Sequence, residues 1–361
     1  VLDGWIASFL AMATSSSHST LRLQVQGLKT TKEHPMTTLI TGAAGFIGYH
    51  VAEALLARSE KVVGVDNLNS YYDVALKKAR LSQLESHKNF LFRHIDITDR
   101  SAMEALARNH PEITHIIHLA AQPGVRYSLE NPLAYIESNI IGQMVILELA
   151  RHHLPKLEHL VYASSSSVYG GNTKLPFSVN DPVDSPVSLY AATKKADELM
   201  GHCYSHLYGI PMTGLRFFTV YGPWGRPDMA TYSFTKAIFD GKPIQVYNQG
   251  DMKRDFTYVD DIVQGVLATR TRAPSAASGV PHKVYNLGNH QAEPLLRFIE
   301  VLENAVGKKA IIELKPMQDG DVKETYADIT ETTRDLGFKP TTSIDVGLPK
   351  FVEWFRGYHG V

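Results

Sequence analysis

Tyr190 stands four residues before Lys194 in the stretch Tyr190-Ala191-Ala192-Thr193-Lys194, and on a helix that spacing brings both side chains to one face. A lysine ammonium beside a phenol stabilises the phenolate, drawing a reference pKa of roughly 10 toward the range of a working proton acceptor. A solvated helix face has the same spacing, so the pair takes its meaning from its surroundings. A second chemically suggestive stretch is Gly42-Ala43-Ala44-Gly45-Phe46-Ile47-Gly48. Gly42 suits a tight turn, Gly45 lets backbone N–H groups approach a pyrophosphate at a helix N-terminus, and Gly48 allows that helix to pack closely on a strand. The G-x-x-G-x-x-G spacing carries one residue more than the G-x-G-x-x-G dinucleotide fingerprint. Asp66 follows about twenty residues later, where an acid accepts hydrogen bonds from an adenosine ribose and repels a 2′-phosphate. That favours NAD over NADP, although an Asp before a turn can equally be a cap.

These residues need elements to hold them. The apolar run 38–41 reads as a strand, the glycines as a turn, and 51–58 as a helix. A second strand at 61–65 delivers Asp66 and Asn67. Further apolar runs at 90–95, 113–119, 160–163 and 213–218 alternate with helical patterns, which predicts an α/β fold with a doubly wound, mostly parallel Rossmann-type sheet. The strand ends then line one crevice: Asp96 and Ile97 after the third run, Leu119, Ala120 and Ala121 after the fourth, and Ser164 to Ser167 after the fifth. The helix carrying Tyr190 begins after Asp184-Ser185-Pro186, shows an apolar stripe of Ala196, Leu199, Met200, Cys203 and Leu207, and ends at Gly209 with Pro211 beyond. On that pattern Cys203 belongs to the core. After Phe218 a rigid loop, Gly222-Pro223-Trp224-Gly225-Arg226-Pro227, introduces a smaller C-terminal α/β lobe. The expected division is an NAD-binding Rossmann domain at 36–218 with a return segment at about 255–275, and a substrate-binding lobe at 219–254 and 276–361.

Bulk properties narrow the function classes. The chain has 361 residues, 44% of them hydrophobic, enough for one large or two medium domains with a substantial core. A formal net charge of -1 points to neither nucleic acid nor an anionic membrane surface as a partner. Cys203 is the only cysteine, so no intrachain disulfide forms and a reducing, cytoplasmic compartment is expected. The sixteen histidines show no metal-site spacing, and no metal is expected. Residues 1–35 read as an extension outside the folded core, because Val1 stands where an initiator Met is usual and Met36 resembles a natural start; an organelle transit segment is the alternative.

Together the glycine loop, Asp66, His118-Leu119-Ala120-Ala121, Ser165, Tyr190-x-x-x-Lys194 and the run from Arg254 to Asp261 resemble the extended short-chain dehydrogenase/reductase family over essentially all of 36–361. Within it the chain is most similar to the nucleotide-sugar 4-epimerases acting on UDP-glucuronate, through Ser165-Ser166-Ser167-Val168-Tyr169-Gly170 and the run from Thr219 to Ala230. The resemblance implies an isomerase with bound NAD: Tyr190 takes the proton of the sugar 4-hydroxyl, the hydride on carbon 4 passes to nicotinamide, and the resulting 4-keto sugar turns over and is reduced on its other face. Lys194 would hold the nicotinamide ribose and ease ionisation of Tyr190, while Ser165 hydrogen-bonds the reacting oxygen. Related 4,6-dehydratases place an Asp-Glu pair, and UDP-glucuronate decarboxylases a Glu, where this chain has Ser166 and Ser167.

The resemblance further carries Thr219 and Arg226 over as contacts to carbon 6 of a uronic acid, where a guanidinium can clasp a carboxylate. The alternative reading of Arg226 is a surface residue of a rigid loop. Arg254, Gln318 and Asp321 would face the uridine diphosphate. Galactose epimerases carry a lysine where this chain has Pro123, so pyrophosphate contacts would be shared differently. A homodimer built from the helical stretches 132–151 and 189–208 is implied. Two other functions compete: a 4-epimerase of neutral UDP-hexoses or UDP-N-acetylhexosamines, and a non-catalytic NAD-binding interaction protein.

Overall fold

The structure, a computed structural model, describes residues 36–317 and 322–361. The expectations for the 1–35 extension, for Gln318 and for Asp321 lie outside the described residues. In chain order the first half comprises β1 (Thr37–Thr41), α1 (Phe46–Ala57), β2 (Lys61–Asp66), α2 (Val74–Glu85), β3 (Phe90–His94), α3 (Arg100–Asn109), β4 (Ile113–His118), α4 (Tyr127–Glu130), α5 (Pro132–Tyr135), a π-helical turn (Ile136–Ile141), α6 (Gly142–His152) and β5 (His159–Ser165). The second half adds α7 (Leu189–Tyr208), β6 (Met212–Phe217), β7 (Thr219–Tyr221), α8 (Ala230–Asp240), β8 (Pro243–Val246), β9 (Lys253–Tyr258), α9 (Val259–Arg270), β10 (His282–Leu287), β11 (Ala292–Pro294), α10 (Leu295–Val306), β12 (Ile311–Leu314), α11 (Thr330–Leu336) and α12 (Ile344–His359).

Seven strands form one parallel sheet in the order β10-β6-β5-β4-β1-β2-β3. Successive residues of β1 point to opposite faces, and the core divides accordingly: Ile40 joins Val62, Ile117, Val161 and Leu215 in one apolar cluster, while Leu39 joins Val63, Ile116 and Leu160 in another. A parallel sheet must be covered on both faces, which is why its strands read as apolar runs. The chain progresses outward from β1 through β2 to β3, then returns to β4 and moves the other way. The order therefore reverses between β1 and β4, where an open α/β sheet leaves a crevice beyond its strand ends.

Smaller sheets stand beside this one, β11-β9-β7 and β12-β8. Two placements differ from the expected division. β10 lies in the main sheet, in parallel register with β6 from His282↔Met212 to Leu287↔Phe217, although it comes from the stretch assigned to the smaller lobe. Of the return segment, α9 packs on α1 and β5, whereas β9 pairs with β7 and β11. Short strands that depend on distant partners carry little local signal for which sheet they enter.

Helix α7 starts and stops as its sequence predicts: the Ser188 side chain accepts a hydrogen bond from the Ala191 N–H, and Gly209 closes the helix at φ 67°. Its expected apolar stripe turns inward only in part: Met200 packs against the core, while the other large members do not. Leu199 and Leu207 are each 59% exposed and Cys203 is exposed, which corrects the core assignment of that cysteine. The buried face carries Lys194, Asp197, Glu198, Gly201 and Ser205 instead. The polar residues turn inward because partners meet them there: Lys194 bonds the Ala163 carbonyl, Glu198 the Ser164 hydroxyl and Arg216, and Ser205 the Ile210 carbonyl.

Candidate active site

Where the sheet order reverses, a cavity of about 400 Å³ runs along the strand ends. At one end sits the glycine turn. Gly42 has φ 74°, and a Cβ there would stand 2.8 Å from the Ala120 nitrogen; a Cβ on Gly48 would stand 2.0 Å from the Gly42 carbonyl oxygen. The turn is thus shaped by what a side chain would fill. Helix α1 begins at Phe46 with no side-chain cap and no acid in its first turn, so its free N–H groups and positive dipole end suit an anion. Asp66 closes this end. Its carboxylate accepts from the Ala44 N–H at 3.1 Å and the Leu68 N–H at 2.8 Å. Asp96, whose carboxyl burial would raise, lies below its ordinary range because Asn67 Nδ2, the Thr98 N–H and the Thr98 hydroxyl all donate to it. Every residue expected to hold the cofactor lines the cavity: Gly42, Gly45 to Gly48, Asp66, Asn67, Asp96, Ile97, Leu119 to Ala121, Tyr190 and Lys194.

The catalytic wall is built by the ends of β4 and β5 and the first turns of α7. Lys194 is 3% exposed; its Nζ donates to the Ala163 carbonyl and to Asp197 Oδ2, each at 2.9 Å. The Tyr190 ring lies 6.0 Å from that of Tyr135 in an edge-to-face arrangement. Ser165 ends β5, where its hydroxyl accepts from the Ser167 N–H and donates to the Ser167 hydroxyl, both at 3.1 Å. Behind Lys194, His118 is held neutral: burial foremost, then the nearby Lys194 charge, press its pKa down to about 3. Thr41 fixes that ring, because its oxygen accepts from the Ala120 N–H and is hydrogen-bonded to His118 Nδ1 at 2.6 Å. Tyr169 has a structural task. Its hydroxyl donates to Asn286 and accepts from Arg216, which pairs in turn with Glu198 at 2.8 and 2.9 Å.

Across the cavity the loop at 222–229 presents Arg226 beside Thr219, and both line the cavity with Ser165, Ser166 and Ser167. Arg226 Nη2 lies 3.5 Å from Asp228, while Nη1 is buried and has no hydrogen-bond partner. Trp224 holds a left-handed backbone at φ 61°, a strain of roughly 1–2 kcal/mol. Two groups hold it there: its ring packs on Tyr49, Trp354 and Tyr358, and buried Arg80 donates to the carbonyls of Trp224 and Ala44. Arg80 thereby ties the Arg226 loop to the glycine turn. Arg254 is placed outside the cavity lining, its guanidinium donating to the carbonyls of Lys253 and Lys323.

Residues 39–351 match the family described as GDP-mannose 4,6 dehydratase. The chain belongs to that family. Among its relatives, a probable UDP-glucuronate 4-epimerase of Rhizobium meliloti is 47% identical over 334 residues, covering 89% of this chain and 97% of that protein. UDP-glucuronate 4-epimerase 4 of Arabidopsis thaliana is 48% identical over 343 residues, covering 92% of this chain and 78% of that one. The crystal structure of UDP-glucuronic acid 4-epimerase from Bacillus cereus, in complex with UDP-glucuronic acid and NAD, superimposes with a TM-score of 0.83 at 34% identity, covering 90% of this chain and all of that one. Sequence reasoning missed Tyr71, Lys77 and Ser138, which line the cavity. None follows a spacing rule; only the π-helical turn, a feature frequent at functional sites, marks Ser138, and it is visible only in the structure. Its neighbour Asn139 is buried, bonding the Gln122 N–H and carbonyl and Thr193.

Proposed function

We propose that this chain is an NAD-dependent UDP-glucuronate 4-epimerase, converting UDP-glucuronate to UDP-galacturonate. Arg226 carries the reading: a buried guanidinium nitrogen without a hydrogen-bond partner, on a residue that lines the same cavity as Tyr190, calls for an anion on the substrate. The relatives named for this activity support it. The family name speaks of a dehydratase, but residues 166 and 167 are serines, so no carboxylate stands there to take a proton from carbon 5.

The glycine cradle, the uncapped start of α1 and Asp66 fit NAD, which when bound accepts and returns the hydride of carbon 4. The chain's own residues do the rest. Tyr190 removes the proton from the 4-hydroxyl and gives it back, Lys194 supplies the positive charge that favours the phenolate, and the Ser165 hydroxyl holds the reacting oxygen. Thr219 and Arg226, both in the cavity lining, orient carbon 6. NAD belongs to the region at 36–218 together with α9 and β10, which pack on it, and the nucleotide sugar to the smaller lobe. The enzyme works as a cytoplasmic homodimer through the helices at 132–151 and 189–208. Supporting this are Leu133 at 68% exposure, Ile141 at 47%, and Leu199 and Leu207 at 59%, apolar side chains that gain by being covered.

Incubation of NAD-loaded protein with UDP-glucuronate, followed by proton NMR, should show UDP-galacturonate accumulating to equilibrium. No product, or faster turnover of UDP-glucose, would reject the assignment.

A further inference from the structure

A buried acid lies beneath the catalytic wall. Asp197 follows Lys194 by one helical turn and is 1% exposed. Its Oδ2 accepts from Lys194 Nζ at 2.9 Å and the Ala163 carbonyl takes a second Nζ proton at 2.9 Å. An ammonium has three protons, so one remains for the cavity that Lys194 lines. Oδ1 is buried and accepts no hydrogen bond. A half-satisfied carboxylate is costly in an interior, and the charge it meets is that of Lys194. Burial pushes the Asp197 carboxyl up to about 6, and the Lys194 ammonium, 2.9 Å away, favours its ionised form.

We propose that Asp197 is a positioning residue whose carboxylate keeps the Lys194 ammonium charged and aimed into the cavity, so that the Tyr190 phenol ionises readily.

Among the described residues no other neighbour supplies that counter-charge. Glu198, on the same helix, is committed to Arg216 and to the Ser164 hydroxyl at 2.7 Å. Tyr162 from β5 is a phenol that burial holds neutral. His118 from β4 is neutral as well. Tyr190 itself faces Tyr135 and Arg226, and Arg226 is a second cation rather than a counter-charge for Lys194. A lysine buried without an opposite charge loses its proton readily, and a neutral amine does not stabilise a phenolate. Removing the Asp197 charge therefore reaches Tyr190 through Lys194. The inference rests on the epimerase reading only for what Tyr190 does in turnover.

The test is a pH titration of phenolate absorbance in NAD-loaded protein, taken as the difference between each protein and its Tyr190→Phe counterpart. Asp197→Asn keeps the shape and removes the charge, and should move the midpoint of that difference upward by about one pH unit or more. The acid limb of kcat for UDP-glucuronate should move the same way. A midpoint within roughly 0.3 pH unit of the parent, small against the shift expected for a lost counter-charge, overturns the proposal, as does a downward movement. Should Asp197→Asn fail to fold by circular dichroism, Asp197→Ser carries the same titration. A protein that shows the shift yet leaves UDP-glucuronate unchanged rejects the substrate assignment and retains that of Asp197.

Discussion

Tyr190 and Arg226 line one cavity, and the proposed reaction gives carbon 4 to the first and carbon 6 to the second. Tyr190→Phe deletes a single oxygen from a half-buried ring and should leave the fold and NAD affinity intact while lowering kcat by about 10²- to 10⁴-fold, the usual worth of a positioned acid/base. Stopped-flow turnover beside an NAD titration checks both parts. Arg226→Met keeps the side-chain length and removes the cation. It should raise KM for UDP-glucuronate by about tenfold to a hundredfold, equivalent to about 1.5–3 kcal/mol for a charge-assisted bond, and leave KM for UDP-glucose unchanged; equal effects on the two sugars would contradict the carboxylate contact. What could be read at this scale was whatever is local in the chain. The glycine turn, Asp66 and Tyr190-x-x-x-Lys194 are short-range patterns whose spacing already implies their geometry. Lys77 escaped because it reaches the site across α2, where its burial, opposed by Asp66, lowers its pKa. Tyr71 escaped because the partner of its hydroxyl, Asp228, is 157 residues away.

Elements show a different limit of sequence reading. Periodicity located α7 and both of its ends, yet it assumed that the apolar stripe faces the core, and here Leu199, Cys203 and Leu207 face out while Met200 packs inward. The reason is functional geometry: Lys194, Asp197 and Glu198 must turn toward β4, β5 and β6 to meet Ala163, Ser164 and Arg216. A helix with two non-solvent faces then needs a partner for the second. Leu199→Glu places a charge in the middle of the exposed stripe without touching the buried face. It should convert a dimer to a monomer in sedimentation experiments, with the circular dichroism spectrum and NAD binding retained. A parent protein that already sediments as a monomer would remove this role from α7. Loop 222–229 depends on tertiary support in the same way, since Trp224 is held by Arg80 from α2 and by rings from α1 and α12.

At the scale of the whole molecule, the buried titratable groups set how stability responds to pH. Burial presses His50, His115, His159 and His282 from 6.5 down to about 4, and His118 to about 3. A depressed histidine favours the fold above its unfolded pKa of 6.5, and that contribution is lost as pH falls toward 4, because the unfolded chain takes up the proton first. The raised carboxyls act oppositely. Asp197 and Asp255, each held at about 6 against an ordinary 3.8, penalise the fold when ionised, so their effect favours folding as pH falls from 6 toward 4. At about 1.4 kcal/mol per pH unit, individual contributions of either kind are roughly 3 kcal/mol, and the histidines outnumber the carboxyls. The midpoint of urea unfolding should therefore fall steadily between pH 6.5 and 4. His159 offers the sharpest check, since it is fully buried with Nδ1 on the Arg270 carbonyl and Nε2 on the Thr213 hydroxyl. His159→Gln retains hydrogen-bonding groups without a titrating ring, so it should cost stability at pH 7 yet flatten the decline at lower pH. A slope identical to that of the parent would show that His159 is not among the groups that drive acid unfolding.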